Sequence, residues 1–552
     1  MLARLKSFLK SDRNVFLIFL ILGLVLYSNS FGNEMFWDDQ DNILFNAFVH
    51  DWKYFPKYFT ENNVAGRGLI SNYWRPLPLT IWSIEWHLWQ DWAPGYHFVQ
   101  TMLHISAAFL LFNLLNKFFN NQLLSLLTSV LFLAHPLQTE AITYVSGISD
   151  PLSAMLIFSS LIFYIKNREH PSKYLFTCSL VLFSLSFLAR ETTVFFLLYF
   201  VLAEFILHLK KHKNILWSSL FLNYIKLLWP YMTIAGVYIF LRLSVLNFQN
   251  TLNLYDTLSV HDEQNEFTSN PLIRLFTFFR ILTVYAQLLF WPQNLHMERT
   301  VELATTLWKP DILIGASVLI SSLPVLIVFL KRNRLVVFSI AWILISLFPT
   351  SNILVPINGL LFEHWLYLPM VGVWLLIMWL GLKLARKHKI YSYLFVLLLL
   401  SYFVLLSSKT IRQNRIWSDP ITFYNYTLKL APTSYRLLNN LGMAYADKNA
   451  HEEAIRVYQL AISVNPSNAV AYHNLGNTYK AVGDKQKAMS NFEKAILLQP
   501  DFYFSYNALA QLYLDNKEYK KAAEVLEKLL PHTTGAQHIS TQNLILQLQS
   551  QK

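Results

Sequence analysis

The run VFLIFLILGLVLYSNSF (residues 15–31) decides how the rest of the chain is read; Arg4, Lys6, Lys10 and Arg13 precede it and MFWDDQDN (residues 35–42) follows. A basic flank followed by an apolar run describes either a secretory signal peptide or a first membrane helix. No small-residue cleavage site follows and further apolar runs do, so the reading is an uncleaved helix with a cytoplasmic N-terminus. Asp38 and Asp39 then stand at the outer surface of the bilayer, where carboxylates are tolerated as they are not in hydrocarbon. A paired carboxylate there can serve as a general base or hold a divalent cation. Its plain alternative is a solvated acidic loop.

Of the 552 residues 54% are hydrophobic and only 14% charged, against roughly 25% charged in soluble domains. The deficit lies before Arg412, which makes the chain a polytopic membrane protein with a soluble C-terminal part. Residues 419–552 carry 13 Lys+Arg and 11 Asp+Glu, so 32 basic and 22 acidic residues, +10 of the net +12, belong to the apolar part. A basic surplus in membrane loops reports orientation and excludes no less than it suggests: nucleic acid is not a partner. The single Cys178 lies in an apolar run, so a disulfide framework and a cysteine metal site are both excluded.

Apolar spans are expected near 96–118, 122–137, 151–166, 173–189, 192–209, 222–246, 311–330, 335–352, 365–382 and 390–408, eleven with the first helix. The segment 273–291 is apolar too, but it carries Arg274 and Arg280. If it does not cross, the clusters 166–168, 210–213, 331–334 and 383–389 all fall on the cytoplasmic side, so it is read as re-entrant or interfacial. An odd number of spans places the C-terminal part outside, with Asp38 and Asp39. Two long outer loops result, 33–95 and 247–310. The first is rich in Trp and Tyr and holds a helix-like stretch, 81–92, expected in the interface plane; loops of this length are usually functional.

After Arg412 a 34-residue period sets in. Pro432, Pro466 and Pro500 keep it, as do Leu441, Leu475 and Leu509, Tyr445, Tyr479 and Tyr513, and Ala454, Ala488 and Ala522; Gly442 and Gly476 are followed by Ala510. Four coincident ladders are the tetratricopeptide signature, two antiparallel helices per repeat. Residues 419–431 read as the second helix of an incomplete first repeat. The domains expected are therefore a membrane domain, 1–410, a tetratricopeptide array, 411–534, and a polar tail, 535–552. Such an array grips extended peptide or holds a partner subunit, and the fold alone does not separate the two.

The topology also brings other polar groups to the outer face: His135, Glu140 and Asp150 between the third and fourth spans, Arg190 and Glu191 between the fifth and sixth, Glu363 and His364 before the tenth, Arg412 and Arg415 after the eleventh. Singly each has a structural reading; Arg190 could snorkel and Glu140 could be a solvated turn. Together they form a ring of charge at one interface, where charge is functional by default.

The order of motifs carries a resemblance. Trp37-Asp38-Asp39 with Asn42, Tyr73-Trp74-Arg75-Pro76-Leu77, Gly95-Tyr96-His97, His135-Pro136 with Thr139-Glu140-Ala141, Gly147 to Asp150, Ser351-Asn352 with Pro356 and Glu363, and the repeats resemble the transmembrane and tetratricopeptide-repeat O-mannosyltransferases and their bacterial relatives. The resemblance covers nearly the whole chain and departs at Arg190-Glu191-Thr192 and at His364. It implies an all-α fold, a C-type glycosyltransferase bundle of about 11 spans followed by an α-solenoid. It further implies transfer of a sugar, mannose by the family name, from a polyprenyl-phosphate carrier to a hydroxyl of a protein or glycan acceptor, which the repeat groove would grip. Asp38 is then the expected base, and Asp39 would orient it or hold a divalent metal if one is used; no cofactor is otherwise implied. Arg75, Arg190 and Arg412 are the candidates for the donor phosphate, with His97, His135, Glu140, Asp150, Glu191 and Glu363 as further site candidates. The expected location is a bacterial inner membrane, or the endoplasmic reticulum membrane in a eukaryote, with the repeats periplasmic or lumenal. The competing readings are a transporter or flippase, against which no inverted halves are visible, and an anchored scaffold, which would need one helix and not eleven.

Overall fold

The computed structural model describes residues 11–211, 217–246, 262–330, 332–354, 356–357, 359–533 and 535–550. Arg4, Lys6, Lys10, Lys331 and the first part of the 247–310 loop lie outside them. Every regular element among the described residues is helical, and the chain divides into two compact units, Met1–Ser418 and Asp419–Lys552.

The first unit is built from α1 (Asp12–Tyr27), α2 (Pro76–Trp89), α3 (Ala93–Phe119), α4 (Gln122–Ala134), α5 (Ser149–Glu169), α6 (Lys173–Ala189), α7 (Leu197–Lys211), α8 (Trp217–Phe240), α9 (Pro271–Phe290), α10 (Pro310–Phe329), α11 (Arg334–Leu347), α12 (Pro369–Ala385) and α13 (Lys389–Ile416). Among the described residues eight helices are long and apolar enough to cross a membrane, and four shorter apolar ones, 122–134, 173–189, 334–350 and 369–385, accompany them. Local chemistry sets where they begin. Proline occupies the first turn of α2, α9, α10 and α12, where no backbone donor is needed. Asn121, Asn270 and Asn333 cap α4, α9 and α11 by accepting the backbone N–H of Leu124, Leu272 and Leu335. Asn120, at φ 50°, ends α3 in the left-handed conformation.

Contacts sort the helix ends into two groups. At one end of the bundle Asn414 of α13 donates to Leu26 O of α1 at 2.8 Å, Gln100 of α3 to Ala141 O at 2.8 Å, and Thr410 to Ala134 O of α4 at 2.7 Å. At the other, Lys117 of α3 meets Glu169 of α5 at 3.4 Å and Arg334 of α11 lies over the Phe119 ring. The helix α9 is long enough to cross, and both its ends reach the first group, while Leu289 O and Phe290 O also accept from Tyr402 Oη of α13 and Phe279 packs against Gly315 and Ala316 of α10. Arg274 donates to Ile353 O at 3.2 Å, Arg280 pairs with Asp311 in the first turn of α10, Tyr285 donates to Phe362 O, and Leu289 O accepts from His135 Nε2 at 3.0 Å. It is one continuous helix, Pro271–Phe290. Besides it, the described residues hold seven long apolar helices and the four shorter ones.

Burial follows the membrane setting. The core is aromatic: Tyr199 stacks on Trp342 at 4.2 Å, and Phe338 bridges Trp342 and Phe118. In contrast, α10 and α13 leave most of their apolar surface outside the protein. In an integral membrane protein that surface faces lipid, so helices are held by close packing and hydrogen bonds and not by exclusion of water.

In the second unit α14 (Pro420–Leu428) precedes three helix pairs, α15 (Tyr435–Asp447) with α16 (His451–Val464), α17 (Ala469–Ala481) with α18 (Lys485–Leu498), and α19 (Tyr503–Asp515) with α20 (Tyr519–Leu529). The 34-residue ladders have direct causes here. A side chain on Gly442 or Gly476 would strike the ring of Tyr458 or Phe492 on the facing helix, and Ala454, Ala488 and Ala522 are fully buried where helices touch. Residues 535–552, read from sequence as a polar tail, fold through Gln549 as α21 (Gly535–Gln549); Ile545 and Leu548 pack with Leu526 and Leu529.

The approach of α9 and α10 tests this packing. A Cβ on Gly315 would overlap the Phe279 carbonyl, whereas one on Gly236 in α8 would meet nothing within 4 Å among the described residues. Gly315→Ala should lower the thermal stability of the detergent-solubilised protein by an overpacking cost of about 1–3 kcal/mol, despite its better helix propensity. Gly236→Ala should leave it unchanged or raise it.

Candidate active site

The end of the bundle defined by the first group of contacts encloses a cavity of about 530 Å³. Its walls come from places far apart in sequence: the loop between α1 and α2, the α4–α5 connection, the stretch between α6 and α7, the end of α8 with the turn after it, and the segment between α11 and α12. Asp38, Arg75, Glu140, Asp150, Arg190 and Glu191 all line it. Six of the charged residues expected at one face thus share a single partly open cavity, and others of the expected ring do not.

Each wall is held by an identifiable interaction. Trp37 adopts φ 61°, a conformation costly for a bulky residue, and the two aspartates that follow it part company. Asp38 is exposed at the cavity; Asp39 is buried, and its Oδ1 accepts from Ser146 N–H at 2.7 Å and Ser146 Oγ at 2.6 Å. Burial pushes the Asp39 carboxyl up to about 7, against the opposing pull of those two hydrogen bonds. Arg75 is set by its own backbone, whose N–H donates to Asn63 Oδ1 at 2.9 Å. Its guanidinium makes a bidentate pair with Glu191, Nε to Oε2 at 2.8 Å and Nη2 to Oε1 at 2.7 Å, and lies over the Tyr73 ring. Arg190 pairs with Asp150. Glu140 holds His364 twice, accepting from its backbone N–H at 3.0 Å and meeting Nδ1 at 2.8 Å.

Other expected residues lie behind the cavity wall. His97 and His135 are buried, their Nε2 atoms directed at the Asn33 and Leu289 carbonyl oxygens. Glu363 turns away from its neighbour His364, accepts from His296 N–H and Arg299, and is raised to about 8 by burial. Arg412 is exposed on α13 and is not part of the lining. A metal at Asp39 does not fit: the carboxylate is turned from the cavity onto Ser146, and no group of three or more His, Cys, Asp or Glu among the described residues could hold an ion.

Arg242, and Asn352 of the Ser351-Asn352 motif, also line the cavity. Arg242 sits in the π-helical turn Leu241–Val245 beyond α8 and donates to Asn72 O at 2.9 Å. Asn352, at φ 58°, accepts from Ile357 N–H and donates to Gly359 O. The signal for Arg242 was present: a lone arginine at the outer end of a span runs against the bias that keeps basic residues inside.

The fold and site define an all-α polytopic membrane protein with a charged cavity at one end of its bundle and a tetratricopeptide-repeat array after its last span. Models described as TPR repeat and Tetratricopeptide repeat match residues 442–483, 469–502 and 505–530. Homologues over about four-fifths of the chain are named protein O-mannosyl-transferases. One from Caenorhabditis elegans is 26% identical over 449 residues, 79% of this chain and 61% of its own length. A human one is 24% identical over 476 residues, 80% of this chain and 50% of its own. The chain thus spans between half and about six-tenths of the length of these relatives. A crystal structure of ArnT from Cupriavidus metallidurans bound to undecaprenyl phosphate aligns over 94% of this chain and 81% of its own, at 11% identity and a TM-score of 0.41.

The Asp39 environment has a consequence for stability. A carboxyl whose folded pKa is raised above its unfolded value binds more protons in the native state, so its contribution is lost as pH climbs from the unfolded value, about 4, to the folded value, about 7. The wild-type protein should therefore lose stability over that window, by at most about 1.4 kcal/mol per pH unit from this group. In Asp39→Asn, which keeps an acceptor for Ser146, thermal unfolding measured across pH 5 to 8 should show a flatter profile.

Proposed function

We propose that the protein is a membrane glycosyltransferase that moves a sugar, mannose in the reading its relatives favour, from a polyprenyl-phosphate carrier to a hydroxyl of a protein acceptor at the outer face of the membrane. The observation that carries this is the placement of Asp38 at a charged cavity opening at the end of an apolar helix bundle. A lipid-phosphate donor has its reactive end at the headgroup level and its tail among helices, and a cavity of this size suits a sugar-sized ligand. The acceptor hydroxyl attacks the anomeric carbon and gives its proton to the Asp38 carboxylate. The bond from that carbon to the phosphate oxygen breaks, and the electron pair leaves with the phosphate. Charge then grows on phosphate oxygens beside Arg75, Arg190 and Arg242.

In the first two of these cations the guanidinium is already bonded to a carboxylate, which positions each rigidly while leaving other N–H groups to donate. Nothing in this scheme is routed through a metal. The repeats supply a long concave surface for the acceptor chain, and the basic residues Lys166, Arg168, Lys383, Arg386 and Lys387, at the bundle end opposite the cavity, support a cytoplasmic assignment of that end.

Two experiments follow. Asp38→Asn removes the proton acceptor and keeps the shape of the side chain at an exposed position, so donor binding and membrane level should hold while transfer falls by about 100- to 10,000-fold. Transfer at the wild-type rate, at matched protein levels, would exclude Asp38 as the base. For orientation, a reporter active only in the cytoplasm and fused after Lys552 should stay silent; an active fusion would reverse the assignment of faces.

A further inference from the structure

The cavity carries three acid–base pairs, and they are not equivalent. In Arg75 with Glu191 and Arg190 with Asp150 the cation is permanent. In the third, Glu140 grips His364 through both its backbone N–H and Nδ1, and the cation exists only when the imidazole is protonated. A ring nitrogen 2.8 Å from a carboxylate oxygen carries the hydrogen, so Nδ1 donates and Nε2 is the polar atom left for anything in the cavity. Among the described residues nothing in the protein bonds Nε2, and His364 is part of the cavity wall. The Phe362 ring stacks on the imidazole and, with Glu140, leaves it little freedom to turn.

Charge balance says what that atom faces. The lining holds four carboxylates and three guanidiniums, so with a neutral imidazole the wall is net negative, a poor host for an anion. One proton on His364 brings it to neutrality. We propose that His364, oriented by Glu140, is a proton-gated contact for the phosphate group of the ligand: the imidazolium donates Nε2–H to a phosphate oxygen, and binding of the anion draws the proton on. This rests on the glycosyltransferase reading for its choice of ligand. The groups packed around the imidazole allow it. From the α4–α5 connection comes the Glu140 carboxylate, in contact with Nδ1; from the cavity side come Asp150 and Arg190, bonded to each other. On its own turn, Glu363 faces away toward Arg299, and His135 is engaged with Leu289 O.

The test uses the full-length protein in detergent or nanodiscs with a polyprenyl phosphate as the probe, its affinity measured between pH 5.5 and 8. The probe's own ionisation acts on every variant alike, so the readout is the ratio of affinities of wild type to His364→Gln. That ratio should be near one at pH 8 and rise to about tenfold at pH 5.5, the gain from replacing a neutral hydrogen bond by a charge-assisted one. His364→Arg, which is charged throughout and keeps a donor toward Glu140, should bind at pH 8 as tightly as the wild type does at pH 5.5. A ratio that does not change with pH, with the probe bound by all three proteins, overturns the role of His364 and leaves the donor class standing. No binding of the probe by wild type at any pH overturns both.

Discussion

A guanidinium at the edge of a hydrocarbon layer must be compensated, and the bidentate pairing of Arg75 with Glu191 is the interaction on which the rest of this structure depends. It ties the loop between α1 and α2 to the junction of α6 and α7, the two residues separated by 116 positions in sequence. Breaking a buried pair of this kind typically costs about 3–5 kcal/mol, less here because both side chains keep about a fifth of their surface exposed. Arg190, the next residue but on the opposite partner, extends the same clamp to Asp150 at the head of α5. With the loop fastened at these points, Asp38 and Asn42 are held as one wall of a cavity and not as a mobile strand of solvent-facing chain. The cavity is thus a product of charge compensation at the bundle rim.

The same rule separates the two neighbouring aspartates. Asp38 stays at the cavity because the left-handed turn at Trp37 directs it there, while Asp39 is spent on fastening the loop to Ser146. Adjacent residues of identical chemistry therefore have different surroundings: one lines the cavity and the other is buried on Ser146.

Much of this could be read from the chain. The apolar runs, the Pro and Asn residues that start helices and the 34-residue ladders report local periodicity and capping, which act within a few residues. The two arginines of 273–291 set it apart from the other apolar runs, and both have partners here, Arg274 the Ile353 carbonyl and Arg280 Asp311. What the sequence could not resolve is which members of the charged ring face inward. His97, His135 and Glu363 look equal to Glu140 and Asp150 as isolated letters, and only the packing of distant helices sends the first three behind the wall. Arg242 was hidden inside an apolar span, and Arg412, one turn before the end of α13, was assigned to the ring by proximity to the membrane surface rather than by direction. The tail after 534 looked polar because its buried face amounts to a few apolar residues, among them Ile545 and Leu548, and these suffice only once α20 is there to receive them.

The central claim is that this cavity receives the phosphate end of a lipid-linked donor. Photocrosslinking the full-length protein in membranes with a polyprenyl phosphate that bears its reactive group next to the phosphate, followed by peptide mapping, tests it most directly. The account predicts label on the cavity segments around residues 72–75, 190–195 and 348–354, removed by excess unlabelled lipid phosphate. Competable labelling confined to the basic end of the bundle, or to the repeat array, would contradict it.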